Sequence, residues 1–543
     1  MFILFGRKKL QLPLQKTVIY TMRTYFILVL SCALVGCTLG ASSGNVVTIT
    51  PSSGTPTAVA QVVVPTMQRT LQPISTSPTQ AISPTPEAPC TLPGQTPIQY
   101  EVDADVDYSQ HLIEAQQQII YTNTTGEPLS EIVLIVEPNN YSGAFELLSL
   151  MLDGETGQYT LKDRRLTVNL PRLLFEGCQV ALNLSFRVYP PFISGGITAY
   201  RGFFGYSERQ MNLGLWLPMV AAYVDKEWVI NPIVFIGEQV ALEKSDWDVT
   251  FELVGENTDV IIAAPGSPQV IDATTVRYIL PRARDFTASF SPHFQVRRQV
   301  APGGTVVELY HFDDTRVWVQ NRYFDAAAHS LDVATASLGL YASRFAPYPN
   351  ERMVIVQGDF PDGMEFSGIV FVGSYWYTSY PGSARSYLTI ITVHEVSHQW
   401  WYMLVGNDAA YYPWLDEALA TYSEYLFYET YYSDLTSWWW DFRINAYDPQ
   451  GFVDSTVYDF VETRPYINAI YLRGARMLHE LREALGDDVF FDLLRRYIAT
   501  EDVLATPQTF WSLLTAEQLE QTASIRATYF SHPDDLLAVR EER

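Results

Sequence analysis

The segment His394-Glu395-Val396-Ser397-His398 constrains the fold of this chain more than any other feature of its sequence. It lies between Leu388-Thr-Ile-Ile-Thr-Val and Gln399-Trp-Trp-Tyr, a mostly apolar stretch that is typical of a buried helix. On an α-helix, residues four apart differ by only about 40° around the axis, so both imidazoles leave the same face one turn apart. Burying these polar side chains is costly unless a ligand compensates them.

Two histidines one turn apart have the geometry of two neighbouring ligands of a tetrahedral zinc ion. Glu395 lies about 60° from His398 around the helix, which puts its carboxylate beside such a metal rather than on it. A further carboxylate, Glu417, follows His398 after eighteen residues, inside Trp414-Leu-Asp-Glu-Ala-Leu-Ala. The pattern therefore indicates a metal site built from two stretches of chain.

The spacing H-E-x-x-H, eighteen residues, then Glu resembles that of the gluzincin aminopeptidases, the aminopeptidase N family. Three other segments resemble family motifs and occur in the family's order. These are Gly363-Met364-Glu365, similar to the exopeptidase motif G-x-M-E-N; Trp414 to Ala420, similar to W-L-N-E-G-F-A; and Tyr471-Leu-Arg-Gly-Ala, similar to the segment of the catalytic tyrosine. The resemblance extends over about residues 100 to 543 and is strongest from 350 to 480.

This resemblance implies a zinc peptidase with one zinc ion per chain, held by His394, His398 and Glu417. The three ligands leave one zinc position open for water, as a catalytic site requires. Glu395 is then expected to accept a proton from the water that attacks the peptide carbonyl. Tyr471 is expected to donate a hydrogen bond to the oxyanion that forms.

The resemblance also implies a peptide-binding site around Gly363, Met364 and Glu365. In the family, the carboxylate at the position of Glu365 binds the free α-amine of the substrate, so that single residues are removed. We expect the strand from Gly368 to Gly373 to pair with the substrate backbone by β-addition. A second amine-binding residue is expected from the preceding domain, and Glu208 and Gln210 are the candidates.

Several departures from the family pattern bear on these expectations. Phe366 replaces the Asn that follows the family's Glu, and Asp416 and Ala418 replace the Asn and Gly beside the third ligand. The sequence given ends at Arg543, where many relatives continue into a large helical domain. We therefore expect a more open cleft, with that domain absent or reduced to a few helices.

The pattern of apolar residues divides the chain into two folded domains. From about 97 to 300, alternating and β-branched runs between turn residues predict an antiparallel β-domain. From 301 to 543, the resemblance implies a thermolysin-like α+β catalytic domain that ends in helices. Helical periodicity predicts helices over about 322–345, 384–404, 414–430, 467–485 and 488–499, with one more starting at Pro507.

The first 96 residues predict export and tethering. Basic residues through Arg23 precede an apolar run from Tyr25 to Val35, which is typical of a signal peptide. Residues 1–37, with translation starting at Met1 or Met22, end in Leu-Val-Gly-Cys37, which resembles a bacterial lipobox. Residues 38–96 are rich in Ser, Thr and Pro and predict a disordered tether. We expect a bacterial lipoprotein whose lipid on Cys37 anchors it to the cell membrane, outside the cytoplasm; the alternatives are an ordinary cleaved signal and a simple membrane anchor.

Charge and cysteine usage are consistent with this location. From residue 87 onward the chain has 29 basic and 60 acidic side chains, a balance of -31 that disfavours nucleic acid as a partner. Cys90 and Cys178 are expected either to form one disulfide or to remain unpaired thiols.

Three functions are compatible with these observations. The leading hypothesis is an aminopeptidase that acts on oligopeptides. The alternatives are an endopeptidase on the same scaffold and a non-catalytic surface binding lipoprotein.

Overall fold

The computed structural model describes Cys90 and residues 96–194, 201–256 and 259–537. These residues belong to one compact unit, Thr85–Arg543. The predicted signal peptide and nearly all of the predicted tether lie outside the described residues. Cys90 forms a disulfide with Cys178, which decides between the two alternatives that the sequence left open. Within the part of the chain that the structure describes, no helix is long and apolar enough to cross a membrane.

The first domain is built almost entirely from β-strands, as the alternating sequence predicts. The strands that the structure describes here are β1 Ile98–Asp107, β2 Leu112–Thr122, β3 Leu129–Ile135, β4 Phe145–Leu152, β5 Glu155–Thr156, β6 Gln158–Lys162, β7 Arg165–Leu174, β8 Gln179–Val188, β9 Phe204–Tyr206, β10 Met211–Leu213, β11 Met219–Val220, β12 Tyr223–Val224, β13 Glu227–Trp228, β14 Ser245–Leu253, β15 Ile261–Ala263, β16 Ser267–Val270, β17 Thr275–Ala283 and β18 Ala288–Ser291.

The largest sheet of this domain has the strand order β16-β17-β14-β1-β2-β8-β4-β5. In β1, alternate apolar side chains from Ile98 to Val106 are buried, so one face of the sheet packs on the core around Trp216 and Trp247. The expectation of an antiparallel domain is wrong for one pair, since β1 and β14 run parallel. A parallel neighbour is possible because β14 returns only after the long excursion through β3 to β13.

The second domain contains a five-stranded sheet in the order β19-β20-β23-β25-β24. Its strands are β19 Gln295–Val300, β20 Val306–His311, β23 Arg352–Gly358, β24 Gly363–Phe366 and β25 Ile369–Gly373, and a hairpin of β21 Arg316–Val319 and β22 Arg322–Asp325 lies beside it. Because β19 pairs with β20, residues 295–300 belong to the second domain. The predicted boundary at residue 300 therefore falls inside a hairpin.

Helices follow the sheet in the second domain. Those that the structure describes are α1 Ala326–Arg344, α2 Ser374–Thr378, α3 Tyr387–His398, α4 Trp414–Tyr431, α5 Thr436–Trp439, α6 Thr463–Ile467, α7 Arg473–Leu485, α8 Asp487–Ile498, α9 Pro507–Trp511, α10 Ala516–Gln521 and α11 Ala523–Tyr529, with π-helical segments at Gln399–Leu404, Trp440–Ile444 and Asn468–Leu472. Helix α1 begins four residues later than predicted, because Asp325 caps it by accepting a hydrogen bond from the backbone N–H of Ala328 at 2.9 Å.

Contacts between the two domains fix the turn that joins β24 to β25. The carboxylate of Asp285, from the first domain, accepts hydrogen bonds from the backbone N–H of Ser367 at 3.1 Å and the hydroxyl of Tyr402 at 2.8 Å. The neighbouring Arg284 donates to the backbone carbonyl of Tyr402 at 2.7 Å. Both first-domain side chains are buried. They hold β24 against the helix that carries the two histidines.

Candidate active site

The three predicted metal ligands meet in the interior of the second domain. His394 and His398 lie on α3, Glu417 lies in the first turn of α4, and all three are at most 5% exposed. A carboxylate oxygen of Glu417 lies 3.2 Å from Nε2 of His394 and 3.7 Å from Nε2 of His398. The potential ligand atoms are within 4.8 Å of one another. This arrangement leaves room for one ion between two imidazoles and a carboxylate.

The other nitrogen of each imidazole is bound to a second carboxylate. Nδ1 of His394 lies 2.9 Å from Glu424, and Nδ1 of His398 lies 2.6 Å from Asp416. These partners assign the proton of each ring to Nδ1 and leave both Nε2 lone pairs facing Glu417. The donor set, two neutral imidazoles and one carboxylate, fits zinc. Asp416, which departs from the family's Asn, thus adds a negative charge behind His398.

Glu424 is itself held in place by a buried cation. Its carboxylate accepts hydrogen bonds from Arg443 at 2.9 and 3.0 Å and from the indole N–H of Trp439 at 3.1 Å. Burial raises the pKa of Glu424, but Arg443 outweighs that effect and lowers it below the usual value. Glu424 therefore stays ionised and fixes the orientation of His394. Neither Glu424 nor Arg443 was predicted from the sequence, although Glu424 lies two turns after Glu417 on the same face of α4.

Glu395 lies beside the three ligands. Its side chain is 5% exposed, and its Oε2 atom has no hydrogen-bond partner among the described residues. Burial raises its pKa well above the usual value. Gly363, at the start of β24, approaches this carboxylate so closely that a Cβ atom there would lie 2.2 Å from Oε1 of Glu395. The glycine is thus needed to leave space for the carboxylate of Glu395.

Tyr471 also lies at the metal site, as predicted. It belongs to the π-helical segment before α7, and its ring stacks on the imidazole of His394 with centroids 6.0 Å apart. The glycine of its motif, Gly474, allows α7 to pack against α4, since a Cβ there would lie 2.4 Å from Cβ of Ala418. Burial and then the charge of Glu417 raise the pKa of Tyr471 well above 10, so its hydroxyl remains protonated and able to donate.

Glu365 lies on β24 and is 6% exposed. The structure brings a second carboxylate to it, Glu238, from the segment between β13 and β14. Carboxylate oxygens of Glu238, Glu365 and Glu417 lie within 4.8 Å of one another. Burial and then the charges of Glu417 and Asp416 raise the pKa of Glu238 to about 8. Burial and then the charge of Glu238 raise that of Glu365 well above its usual value. A cation placed between the two carboxylates would reduce the repulsion between their charges.

The two candidates for the second amine-binding residue were wrong. Glu208 is exposed, and the amide of Gln210 is fully used in structural hydrogen bonds, including one at 3.0 Å to the carbonyl of Gln357. Glu238 could not be found from the sequence, because it lies in an irregular segment without periodicity. The only sequence feature beside Glu238 that marks a special position is the preceding Gly237. A glycine is needed there because a Cβ would lie 2.9 Å from the hydroxyl of Tyr466.

The residues next to Glu365 have different environments. Met364 is half-buried and packs with the apolar cluster between the domains, whereas Phe366 is 1% exposed and lies edge-to-face against Phe203 at 5.6 Å. Phe366 therefore contributes packing where the family's Asn has an amide.

The prediction that the strand from Gly368 to Gly373 pairs with a substrate was also wrong. Strand β25, Ile369–Gly373, is enclosed between β23 and β24, so its hydrogen-bonding edges are occupied. Strand β24, Gly363–Phe366, is one edge strand of this sheet within the described residues, and β19 forms the opposite edge. The edge from Gly363 to Glu365, which adjoins Glu395, is thus the one at the candidate site that can accept a substrate by β-addition.

Comparisons with known proteins agree with this geometry. Residues 329–529 match the peptidase family M1 domain. The aminopeptidase M1-A of Oryza sativa subsp. japonica is 28% identical over 212 residues, which are 35% of this chain and 24% of that protein. The aminopeptidase M1 of Arabidopsis thaliana is 27% identical over 230 residues, 39% of this chain and 26% of that protein. The chain thus spans about a quarter of the length of these curated relatives.

Solved structures show the same fold over most of the chain. The M1 zinc metallopeptidase from Deinococcus radiodurans has a TM-score of 0.58 and 18% identity, covering 82% of this chain and 95% of that one. A mutant from the same organism, bound to a Tyr-Ser-Ala substrate, has a TM-score of 0.58 and 17% identity, with 80% and 95% covered. Residues 329–529 thus match the family that the motifs resemble, and the solved structures show that the fold is shared.

Proposed function

We propose that this chain, in which residues 329–529 form a peptidase family M1 domain, is a zinc aminopeptidase that removes N-terminal residues from oligopeptides. The observation that carries the proposal is a pair of carboxylates beside the metal ligands, the half-buried Glu238 and the buried Glu365. The pair has the charge and position to bind the α-ammonium group of a peptide whose first carbonyl faces the metal site.

The chemistry of hydrolysis is divided between the metal and the side chains around it. A bound zinc ion supplies a Lewis acid and lowers the pKa of water towards neutrality. Glu395 accepts the proton of the attacking water on its unpartnered Oε2 atom and then passes it to the leaving amine. Glu424 and Asp416 keep the two imidazoles in the tautomer and orientation that ligation requires.

Tyr471 acts on the oxyanion that forms when water adds to the carbonyl. Its protonated hydroxyl donates a hydrogen bond, and this contact strengthens as negative charge develops on the oxygen. The stacking of its ring on His394 fixes the distance between the hydroxyl and the metal site. Tyr471 therefore stabilises the transition state more than the bound peptide.

The restriction to the first peptide bond follows from the closed end of the cleft. Beyond Glu365, the chain continues through Phe366, which is buried against Phe203 of the first domain, and Ser367, which is buried and donates a hydrogen bond to Asp285. A peptide that pairs with β24 cannot extend in that direction. Its amino terminus stops at Glu365 and Glu238, so one residue lies between this stop and the metal site. The known relatives named as aminopeptidases support this proposal.

The experiment compares peptides with free and acetylated amino termini. For free peptides, Glu365→Ala should lower kcat/KM by about two orders of magnitude, close to 2.7 kcal/mol of transition-state binding. Cleavage of capped peptides, already poor in the wild type, should hardly change. Glu238→Gln should show the same selectivity, whereas Glu208→Gln, an exposed acid outside the site, should change neither rate.

The alternatives predict different results in the same assay. If the wild type cuts capped and free peptides equally well, and Glu365→Ala slows both equally, the scaffold is an endopeptidase. If the zinc-loaded wild type cuts neither kind of peptide, the protein is a non-catalytic binding protein.

We also propose that the protein is a bacterial lipoprotein, anchored outside the cytoplasm by a lipid on Cys37. Its support is the sequence: a basic segment, an apolar run and Leu-Val-Gly-Cys37, followed by a Ser/Thr/Pro-rich stretch. The disulfide between Cys90 and Cys178 suits an oxidising compartment.

Mass spectrometry of protein from its native host should find a lipid-modified Cys37 as the first residue, in the membrane fraction. Cys37→Ala should be released or left unprocessed. An unmodified mature terminus at another position would exclude the anchor.

A further inference from the structure

The cleft has a direction, because β24 and helix α3 run side by side. At one end, the side chain of Gln399 bonds to the backbone of Phe366 at 2.9 Å and of Gly368 at 2.8 Å. One turn earlier on the helix, Glu395 meets Gly363. Moving from Phe366 back to Gly363 on the strand therefore means moving from the carboxyl end of α3 towards its amino end.

When a peptide is bound so that its first residue can be removed, the rest of its chain must extend out of the cleft in this direction. Its amino terminus lies at the closed end, at Glu365. Its remaining residues pass Gly363 and continue towards Pro361 and Asp362, which are exposed. Beyond them lies the amino end of α3, which begins at Tyr387.

A cation with its charge exposed is located at this outlet. Arg464, on α6, packs its guanidinium over the ring of Tyr447 at 4.5 Å, and the hydroxyl of Tyr447 lies 3.2 Å from that of Tyr387. The side chain of Arg464 is exposed, and within the described part of the chain no carboxylate lies within 4.0 Å of its guanidinium. The aromatic ring holds the cation without neutralising it.

Two helical intervals of seven residues separate the outlet, with Tyr387 and Arg464, from the metal site. Tyr387 precedes His394 by seven residues on α3, and Arg464 precedes Tyr471 by seven residues on the stretch that runs into α7. At 1.5 Å per residue, each interval corresponds to roughly 10 Å. An extended peptide advances about 3.3 Å per residue. The guanidinium is thus within reach of a group two or three residues after the cleaved bond.

The charges at the two ends of this path are opposite. Glu238 and Glu365 are at the closed end, and Arg464 is at the outlet. Asp362 lies along this path, and the charge of Arg464 acts on it through space. A short peptide with both termini free has the complementary arrangement, with an ammonium at one end and a carboxylate at the other.

We propose that Arg464 binds the C-terminal carboxylate of short peptides, so that the enzyme prefers tri- and tetrapeptides with a free C-terminus. This inference rests on the proposed aminopeptidase function, which sets the direction of the bound peptide. The planar guanidinium of arginine can bind a carboxylate through two parallel hydrogen bonds, and an amide cannot replace that partner. Arg464 is then a specificity-determining residue outside the metal site.

The experiment measures binding to the zinc-loaded Glu395→Gln variant, so that no turnover is needed. Calorimetry compares Leu-Gly, Leu-Gly-Gly, Leu-Gly-Gly-Gly and a hexapeptide of the same series, each as free acid and as C-terminal amide. The acid should bind about tenfold more tightly than the amide for the tri- and tetrapeptide, and equally for the hexapeptide. In Glu395→Gln combined with Arg464→Gln, the ratio of acid to amide affinity should fall to one at every length.

The matched control is Arg322→Gln, which removes another arginine packed over a ring, that of Phe324 at 4.4 Å, but on strand β22. It should leave the acid-to-amide ratio unchanged. Equal binding of acids and amides at all lengths, or a ratio that survives Arg464→Gln, overturns the inference. If wild type cleaves no peptide while Glu395→Gln still prefers short acids through Arg464, the carboxylate site stands and the aminopeptidase function fails.

Discussion

Gly363→Ala tests the geometry of the site without removing any functional group. The backbone conformation of Gly363 is open to alanine, since its φ is not in the left-handed region, and the new Cβ would lie 2.2 Å from Oε1 and 2.6 Å from Cδ of Glu395. Both are atoms of the flexible end of a side chain. The protein should therefore fold, and the carboxylate of Glu395 should turn away from its position.

The size of the effect follows from these distances. Real Cβ atoms essentially never approach a neighbour more closely than 3.0 Å, so the carboxylate must move by about 1 Å. A displacement of about 1 Å in a reacting group can cost roughly a hundredfold in rate, or about 2.7 kcal/mol of transition-state stabilisation. The free energy of unfolding should change by less than about 1 kcal/mol.

The assay measures kcat/KM for a free tripeptide, zinc content and thermal unfolding in the same preparations. Gly363→Ala should retain zinc and stability and lose about two orders of magnitude in kcat/KM. Added to Glu395→Gln, it should cause no further loss, because the displaced group is already inactive. Wild-type activity in Gly363→Ala, or a full additional loss in the double variant, would refute the reasoning.

Three further changes test other parts of the site and the fold. Tyr471→Phe should lower kcat by about 10² to 10³ with zinc retained and KM little changed, as steady-state kinetics would show; a change in KM alone would argue against oxyanion binding. Glu424→Gln should weaken zinc binding by roughly 10- to 100-fold in competition with a chelator, because His394 loses its ionised partner; unchanged affinity would contradict that role. Replacing Cys90 and Cys178 by Ser should lower the free energy of unfolding by about 2 to 4 kcal/mol in denaturant titrations, and an unchanged midpoint would show that the cross-link is not stabilising.

The metal site was predictable because its residues follow a pattern of short spacings in the sequence. The spacing of His394 and His398 fixes their common face on any α-helix, and the apolar stretch around them predicts that the helix is buried. The carboxylates behind the imidazoles were harder to foresee. Asp416 was noticed only as a departure from the family pattern, and the structure shows that it bonds to His398.

The proposed peptide site was only partly predictable, because it depends on contacts between distant segments of the chain. Glu238 is separated from Glu365 by more than a hundred residues, and only the packing of the two domains brings them together. The open strand edge was assigned to β25 instead of β24 for a similar reason. Two adjacent apolar strands have the same local pattern, and which of them is the edge depends on where β23 pairs.

The start of α1 shows how two periodicities can overlap. Phe324 fits the helical spacing of Leu331 and Leu338, yet it belongs to strand β22, which ends where Asp325 caps the helix. The aspartate before three alanines was the available signal for this boundary.

The most direct test of the central claim compares purified wild type and Glu395→Gln in zinc content and in release of the first residue from a free tripeptide. Both proteins should contain one zinc ion per chain, because His394, His398 and Glu417 are intact, and the variant should lose two to four orders of magnitude in turnover. Substantial turnover by Glu395→Gln, or an active wild type without zinc, would contradict the assignment of metal ligands and base.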